Sequence, residues 1–201
     1  AYAMCGAALG ISVELVMPKR IAPSLKHTIE TYGATCTFVD TIEDAISLAR
    51  QTAEEDRDTY FFADQYSNPS NARAHEFTTA EEIVAQTHAR VTHFVAGGAG
   101  TIIGTARGLK RANPDVRIIG CQRPNAKLNT AMEIFDPTEI DELISCESSD
   151  AESVSDRLAR EEGVACGVSS GANVWAALEV GKRLESGVVV AIVHAGHFLE
   201  E

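Results

Sequence analysis

Short runs of β-branched and other apolar residues alternate along the chain with longer stretches whose apolar positions recur at helical spacing, which is the pattern of parallel strands joined by helices. It predicts strands over Ser12–Met17, Thr35–Val39, Tyr60–Phe62, Val91–Ala96, Arg117–Cys121, Glu142–Cys146 and Val188–Val193. Helices are expected at Pro23–Tyr32, Thr41–Glu54, Ala72–Gln86, Thr101–Ala112, Ala151–Glu161 and Ala172–Leu184. Asp40 or Thr41 can cap one helix, Ser149 or Asp150 another, and Gly33 closes a third. The expected class is α/β with mostly parallel sheets. The polar stretch Asp64-Gln65-Tyr66-Ser67-Asn68-Pro69-Ser70-Asn71 reads as a loop joining two lobes, which sets a smaller lobe over residues 1–62 and a larger one over residues 63–201. There is no internal repeat, and the charged run at residues 54–58 is most simply solvated.

Composition narrows the partners. Among 201 residues, 17 Lys and Arg stand against 29 Asp and Glu, a formal net charge of −12. The cations are scattered singly or in pairs, so neither a nucleic-acid backbone nor an anionic membrane surface is an expected partner. With 45% hydrophobic and 23% charged residues, the balance is that of a soluble globular protein able to bury a core. No apolar run approaches the roughly 20 residues that cross a bilayer. The opening Ala1-Tyr2-Ala3-Met4-Cys5 does not read as a secretory signal. Five widely spaced cysteines without a CxxC pair read as reduced thiols in a cytoplasmic protein.

Three segments could carry chemistry. His93-Phe94-Val95-Ala96-Gly97-Gly98-Ala99-Gly100-Thr101 is a strand running through a glycine turn into a helix, where close backbone N–H groups and the helix dipole favour an anion. A tight turn that needs small residues is the simpler alternative. Gly98-x-Gly100 with Gly104 also has the spacing of a dinucleotide fingerprint, with Arg123 placed to meet a 2′-phosphate. Gly167-Val168-Ser169-Ser170-Gly171 matches a nucleophile elbow with His194 or His197 downstream, but no suitable acid lies between serine and histidine. His194-Ala195-Gly196-His197 lacks the further ligands of a zinc site, so no metal is expected. In the linker, the amides of Gln65, Asn68 and Asn71 could grip a carboxylate or simply shape a turn.

Taken in order, several segments resemble the cysteine synthase and cystathionine β-synthase family of pyridoxal-phosphate (PLP) enzymes, with the tryptophan-synthase-β fold. They are Ala7-Ala8-Leu9-Gly10, Leu15-Val16-Met17-Pro18, Tyr32-Gly33-Ala34, Gln65 to Asn71, His75, Thr78-Thr79, Phe94-Val95-Ala96-Gly97, Asn113-Pro114-Asp115-Val116, Arg160-Glu161-Glu162-Gly163 and Gly167 to Ala172. The resemblance implies a two-lobed, three-layer α/β/α protein with the cofactor between the lobes. It assigns Gly97, Gly98, Gly100 and Thr101 to the cofactor phosphate, Ser169 to the pyridine nitrogen and Gln65 to the substrate α-carboxylate. A hydroxyl at the ring nitrogen makes the cofactor a milder electron sink than a carboxylate would, which suits β-elimination. The implied reaction is β-replacement on an activated serine, of the O-acetylserine or O-phosphoserine type, by sulfide or another nucleophile, in a cytoplasmic homodimer.

There are departures as well. None of Lys19, Lys26, Lys110, Lys127 or Lys182 has the context of the family's cofactor-bonding lysine, so the catalytic residue is not identified in these 201 residues. The family's Ser-Gly-Asn-Thr-Gly substrate loop is absent, the phosphate turn is about two residues short, and a glycine-rich segment is missing after Ile134. Val193-His194-Ala195-Gly196-His197 stands where relatives show Pro-Asp-Ser-Gly. A PLP-fold binding protein without catalysis and an NADP-binding oxidoreductase therefore remain as alternatives.

Overall fold

β-branched and apolar residues condense into two parallel sheets, each wrapped by the intervening helices. The computed structural model describes the whole chain except Ala22, Arg123, residues 125–132 and residues 195–201. It divides into two compact units, one of Ala1–Asp64 and one that begins at Gln65.

In the first unit, α1 (Tyr2–Leu9), β1 (Glu14–Pro18), α2 (Pro23–Thr31), β2 (Thr35–Val39) and α3 (Ile42–Glu55) follow in order. β1 and β2 pair in parallel from Glu14 opposite Thr35 to Pro18 opposite Val39. Ala3, Ile29 and Ala34 form a small core with Val13, Leu15, Met17 and Leu25 against it. Thr41 caps α3 through a capping box with Asp44. Gly33, at φ +80°, donates its N–H to the Glu30 carbonyl and turns the chain out of α2.

The second unit holds a four-stranded parallel sheet in the order β5-β4-β3-β6, made of β3 (His93–Ala96), β4 (Arg117–Gln122), β5 (Glu142–Ser145) and β6 (Val189–Ala191). Successive residues of a strand feed opposite faces. Phe94, Ala96 and Ile118 therefore join the core under α4 (Pro69–Phe77), α5 (Thr79–Thr87) and α6 (Ala99–Ala112). Val95, Ile119 and Cys121 join the core under α7 (Ser148–Glu162) and α8 (Val168–Gly181). The unit is a three-layer α/β/α sandwich, and Phe94, Ile102, Ile103 and Ile118 at its centre are fully buried. Each such side chain contributes about 1.5–3 kcal/mol by leaving water.

Several elements differ from the sequence expectation. Tyr60–Phe62 forms no strand: among the described residues the sheet of its unit is β1-β2, and Phe61 is 85% exposed. The helix expected over Ala72–Gln86 is two, broken at Thr78, whose hydroxyl donates to the Ala74 carbonyl (2.7 Å) and whose backbone leaves helical geometry. α4 also starts earlier, because Asn68 caps it by accepting from the Ser70 N–H, and Pro69 occupies its first turn. α7 starts with Glu147 at its N-cap, so Ser149 and Asp150 lie inside its first turn. α1 was not expected, because its run of apolar and small residues has no polar face to set a helical period.

The glycines of α6 decide how close its neighbours come. A Cβ on Gly104 would stand 1.9 Å from the Ala72 carbonyl oxygen, and one on Gly108 would stand 2.3 Å from the Ala80 Cβ. Gly104→Ala is expected to lose about 1–3 kcal/mol of unfolding free energy in urea titrations, because backbone must move to admit the methyl. Gly181→Ala, at a helical position facing open space, should gain about 0.4–1 kcal/mol.

Candidate active site

From β3 the chain runs through α6 to β4 and then β5 on one side, while β6 lies on the other side of β3. The carboxyl end of β3 is therefore a topological switch point, where open parallel sheets leave a crevice for ligands. Gly97 and Gly98 fill that end. Gly98 adopts φ +91° and faces open space, a backbone that glycine accepts without strain. It is the N-cap of α6, which has no side-chain cap and no acid in its first turn. The first helical bond is from Ile102 N–H to Gly98 O (3.1 Å), leaving the N–H groups of Ala99, Gly100 and Thr101 without a helical acceptor.

Two side chains from α4 buttress this turn. Asn71 lies on Gly100, where a Cβ would stand 2.2 Å from its Oδ1, and its Nδ2 donates to the Gln65 carbonyl (2.8 Å). Gln65, with its side chain exposed, is thus tethered to the residue that packs on the turn. His75 places Nε2 3.1 Å from the Thr101 Oγ1 and Nδ1 3.0 Å from the Thr79 Oγ1. Burial, with His194 nearby, pushes the His75 imidazole below its ordinary pKa.

The N-terminus of α8 approaches the same edge from the other face of the sheet. Its N-cap is Gly167, again without a side-chain cap or an acid in the first turn. Ser169 is exposed there, whereas Ser170 is buried and its hydroxyl accepts from the His194 N–H (2.9 Å). One turn later, Asn173 donates Nδ2 to the Ile192 carbonyl (2.9 Å), and its Oδ1 lies 3.4 Å from where a Cβ on Gly97 would stand. The structure therefore brings Gly97, Gly98, Gly100 and Thr101 into one turn, seats the α8 helix that carries Ser169 against it, and ties the Gln65 backbone to it.

The competing chemistries find less support. The elbow serine, Ser169, is exposed; the neighbouring Ser170 is the one that meets His194, through the His194 backbone N–H, and His197 lies outside the described residues, as do Arg123 and Lys127. Gly104 of the dinucleotide spacing is used to seat α6 on α4. Asn68 is a helix cap. Lys19, Lys26, Lys110 and Lys182 pair with Asp40, Glu30, Asp141 and Glu179. Among the described residues no group of three or more His, Cys, Asp or Glu could hold a metal ion, and no helix is long and apolar enough to cross a membrane. Sequence reasoning gave no role to His75, Thr79, Ser170 or Asn173. His75 and Thr79 are spaced i, i+4 and had a legible signal, but the bond to Thr101 spans 26 positions and needs the fold.

A parallel α/β domain with two uncapped, acid-free helix N-termini at its switch point has the geometry with which α/β proteins hold phosphorylated ligands. More narrowly, the chain belongs to the pyridoxal-phosphate dependent enzyme family, whose model matches residues 1–196. It is 37% identical to a cysteine synthase of Aquifex aeolicus over 215 positions, covering 98% of this chain and 66% of that protein. Because 215 exceeds the 201 residues here, the match includes stretches of the relative that have no counterpart in this chain. The crystal structure of an Entamoeba histolytica cysteine synthase superposes with a TM-score of 0.88 at 26% identity, covering 97% of this chain and 64% of that one. An O-acetylserine dependent cystathionine β-synthase from Helicobacter pylori gives 0.88 and 26%, covering 97% and 71%. The chain thus spans slightly less than two thirds of the length of the first two. The α/β, tryptophan-synthase-β-type fold expected from the sequence is the fold observed.

The thiols beneath the site should be silent. Burial pushes Cys121 up to about 12 and Cys146 up to about 11, so both stay protonated in neutral solution, while Cys5 is exposed. With Ellman's reagent at about pH 8, Cys5 is expected to react at once, and Cys121 and Cys146 only after denaturation.

Proposed function

We propose that the protein is a cysteine synthase-like enzyme that carries out PLP-dependent β-replacement on an activated serine, giving cysteine or a related β-substituted alanine. The observation that carries this reading is the pair of acid-free helix N-termini, α6 with Thr101 and α8 with Ser169, at one edge of the sheet. The residues present fit the cofactor: the open backbone at Gly98 and the free N–H groups of Ala99, Gly100 and Thr101 suit a dianionic phosphate, and nothing acidic in the first turn repels it.

In this reading Gly97, Gly98, Gly100 and Thr101 hold the phosphate, with the Thr101 hydroxyl adding a donor to the backbone groups. Ser169 meets the ring nitrogen with a neutral hydroxyl, so no carboxylate keeps that nitrogen protonated. The Gln65 side-chain amide donates to the substrate α-carboxylate and orients the Cα–Cβ bond. Bound there, PLP supplies the electron sink that lets a β-substituent leave and a nucleophile add. The reading assigns the family's cofactor-bonding lysine to no residue among these 201. The two units are taken as the smaller and larger lobes of the fold. Five unpaired thiols support a cytoplasmic setting, and a homodimer rests on the family resemblance alone.

The test is to load the protein with PLP, add O-acetylserine and sulfide, and measure cysteine. Gln65→Ala is expected to raise the KM for O-acetylserine about tenfold, through loss of a hydrogen bond to a charged group, and to leave cofactor affinity unchanged. Cofactor binding without cysteine formation would overturn β-replacement by sulfide while leaving the cofactor assignment standing.

A further inference from the structure

The Thr79–His75–Thr101 chain is not explained by packing alone. His75 is held on both ring nitrogens, by Thr79 at 3.0 Å and Thr101 at 3.1 Å. The close approach of α4 to α6 leaves the ring little latitude, since a Cβ on Gly104 would already lie 3.0 Å from the His75 Cβ. The adjacent Thr78 spends its hydroxyl on the Ala74 carbonyl, the usual fate of a helical threonine, whereas Thr79 is turned to the imidazole.

Resting on the PLP reading above, we infer that His75 is a positioning residue for the phosphate group: its Nε2–H donates to the Thr101 Oγ1 and so turns the Thr101 hydroxyl proton toward a phosphate at the N-terminus of α6, while Thr79 holds that tautomer by donating to Nδ1. The inventory of protons allows two directions along the chain. A neutral imidazole has one N–H and one acceptor nitrogen, and burial favours that neutral form of His75. If Nδ1 carries the proton, Thr101 donates inward and offers a phosphate only a lone pair. If Nε2 carries it, every group in the chain donates toward the turn and the last proton falls on the anion. A bound dianion selects the second direction, and the hydroxyl then joins the N–H groups of the helix end as a charge-assisted donor.

The experiment titrates the protein with pyridoxamine 5′-phosphate and with pyridoxamine, neither of which needs a lysine, and follows fluorescence. His75→Ala and Thr101→Val should each weaken the phosphorylated probe about tenfold, the double variant should lose no more than either single one, and pyridoxamine binding should not change. His75→Gln, whose amide nitrogen can take the place of Nε2, should restore most of the affinity, and His75→Asn should not. In the complex, imidazole ¹⁵N shifts should report Nε2–H for His75, with Thr79→Val mixing the tautomers. Equal losses for both probes, additive losses in the double variant, rescue by His75→Asn, or an Nδ1–H tautomer would each overturn the inference. A wild-type protein that does not prefer the phosphorylated probe overturns the phosphate reading and this inference together. A wild-type preference that His75→Ala retains in full overturns the inference alone. Thermal melts accompany each variant, and the tautomer measured on the wild type decides the matter if His75→Ala does not fold.

Discussion

The seating of α6 against α4 is the contact on which the rest of the second unit depends. Gly104 lets the Ala72 carbonyl come to a distance that no side chain tolerates, and Gly100 and Gly108 continue the same face. The first turn of α6 can therefore reach the Asn71 and His75 side chains. With a wider separation, Asn71 would not lie on Gly100, His75 would not span to Thr101, and Gln65 would lose its tether to the turn. Packing density between two helices is thus converted into the position of polar groups.

The opposite face is fastened by different means. There α8 is joined to the chain leaving β6 by hydrogen bonds, one that the Ser170 hydroxyl accepts from the His194 N–H and one that Asn173 donates to the Ile192 carbonyl. These buried polar residues satisfy backbone groups that the short β6 leaves unpaired, which is the accounting that buried polar atoms require. Asn173 also touches the space beside Gly97, so the two faces share a boundary at the glycine turn.

Most of this architecture was legible from periodicity. Strands such as Phe94-Val95-Ala96 and Ile118 to Cys121, buried on both faces, announce themselves as unbroken apolar runs, and the glycine turn with its following helix is a local signal. Tyr60–Phe62 has equal β-propensity and no partner strand, and pairing is not a local property. The break at Thr78 depends on a side chain competing for a helical carbonyl, which periodicity does not register. The candidate residues on the turn were visible because glycine is needed there. Their supports, His75 and Asn173, were not, because a polar residue inside a helix has many uses until its partner across the fold is known.

The charge of the chain bears on how such a site fills. A body of net charge −12 repels phosphorylated and carboxylated molecules at long range, and the two helix ends without acids are local exceptions set in a hostile field. Approach and retention are then governed by separate physics. Mobile ions, which mute the repulsion beyond roughly 10 Å, speed arrival. Once an anion is within reach of the N–H groups of α6, short directed bonds outweigh the distant charges, so that a salt solution is a kinder solvent for capture than pure water would be.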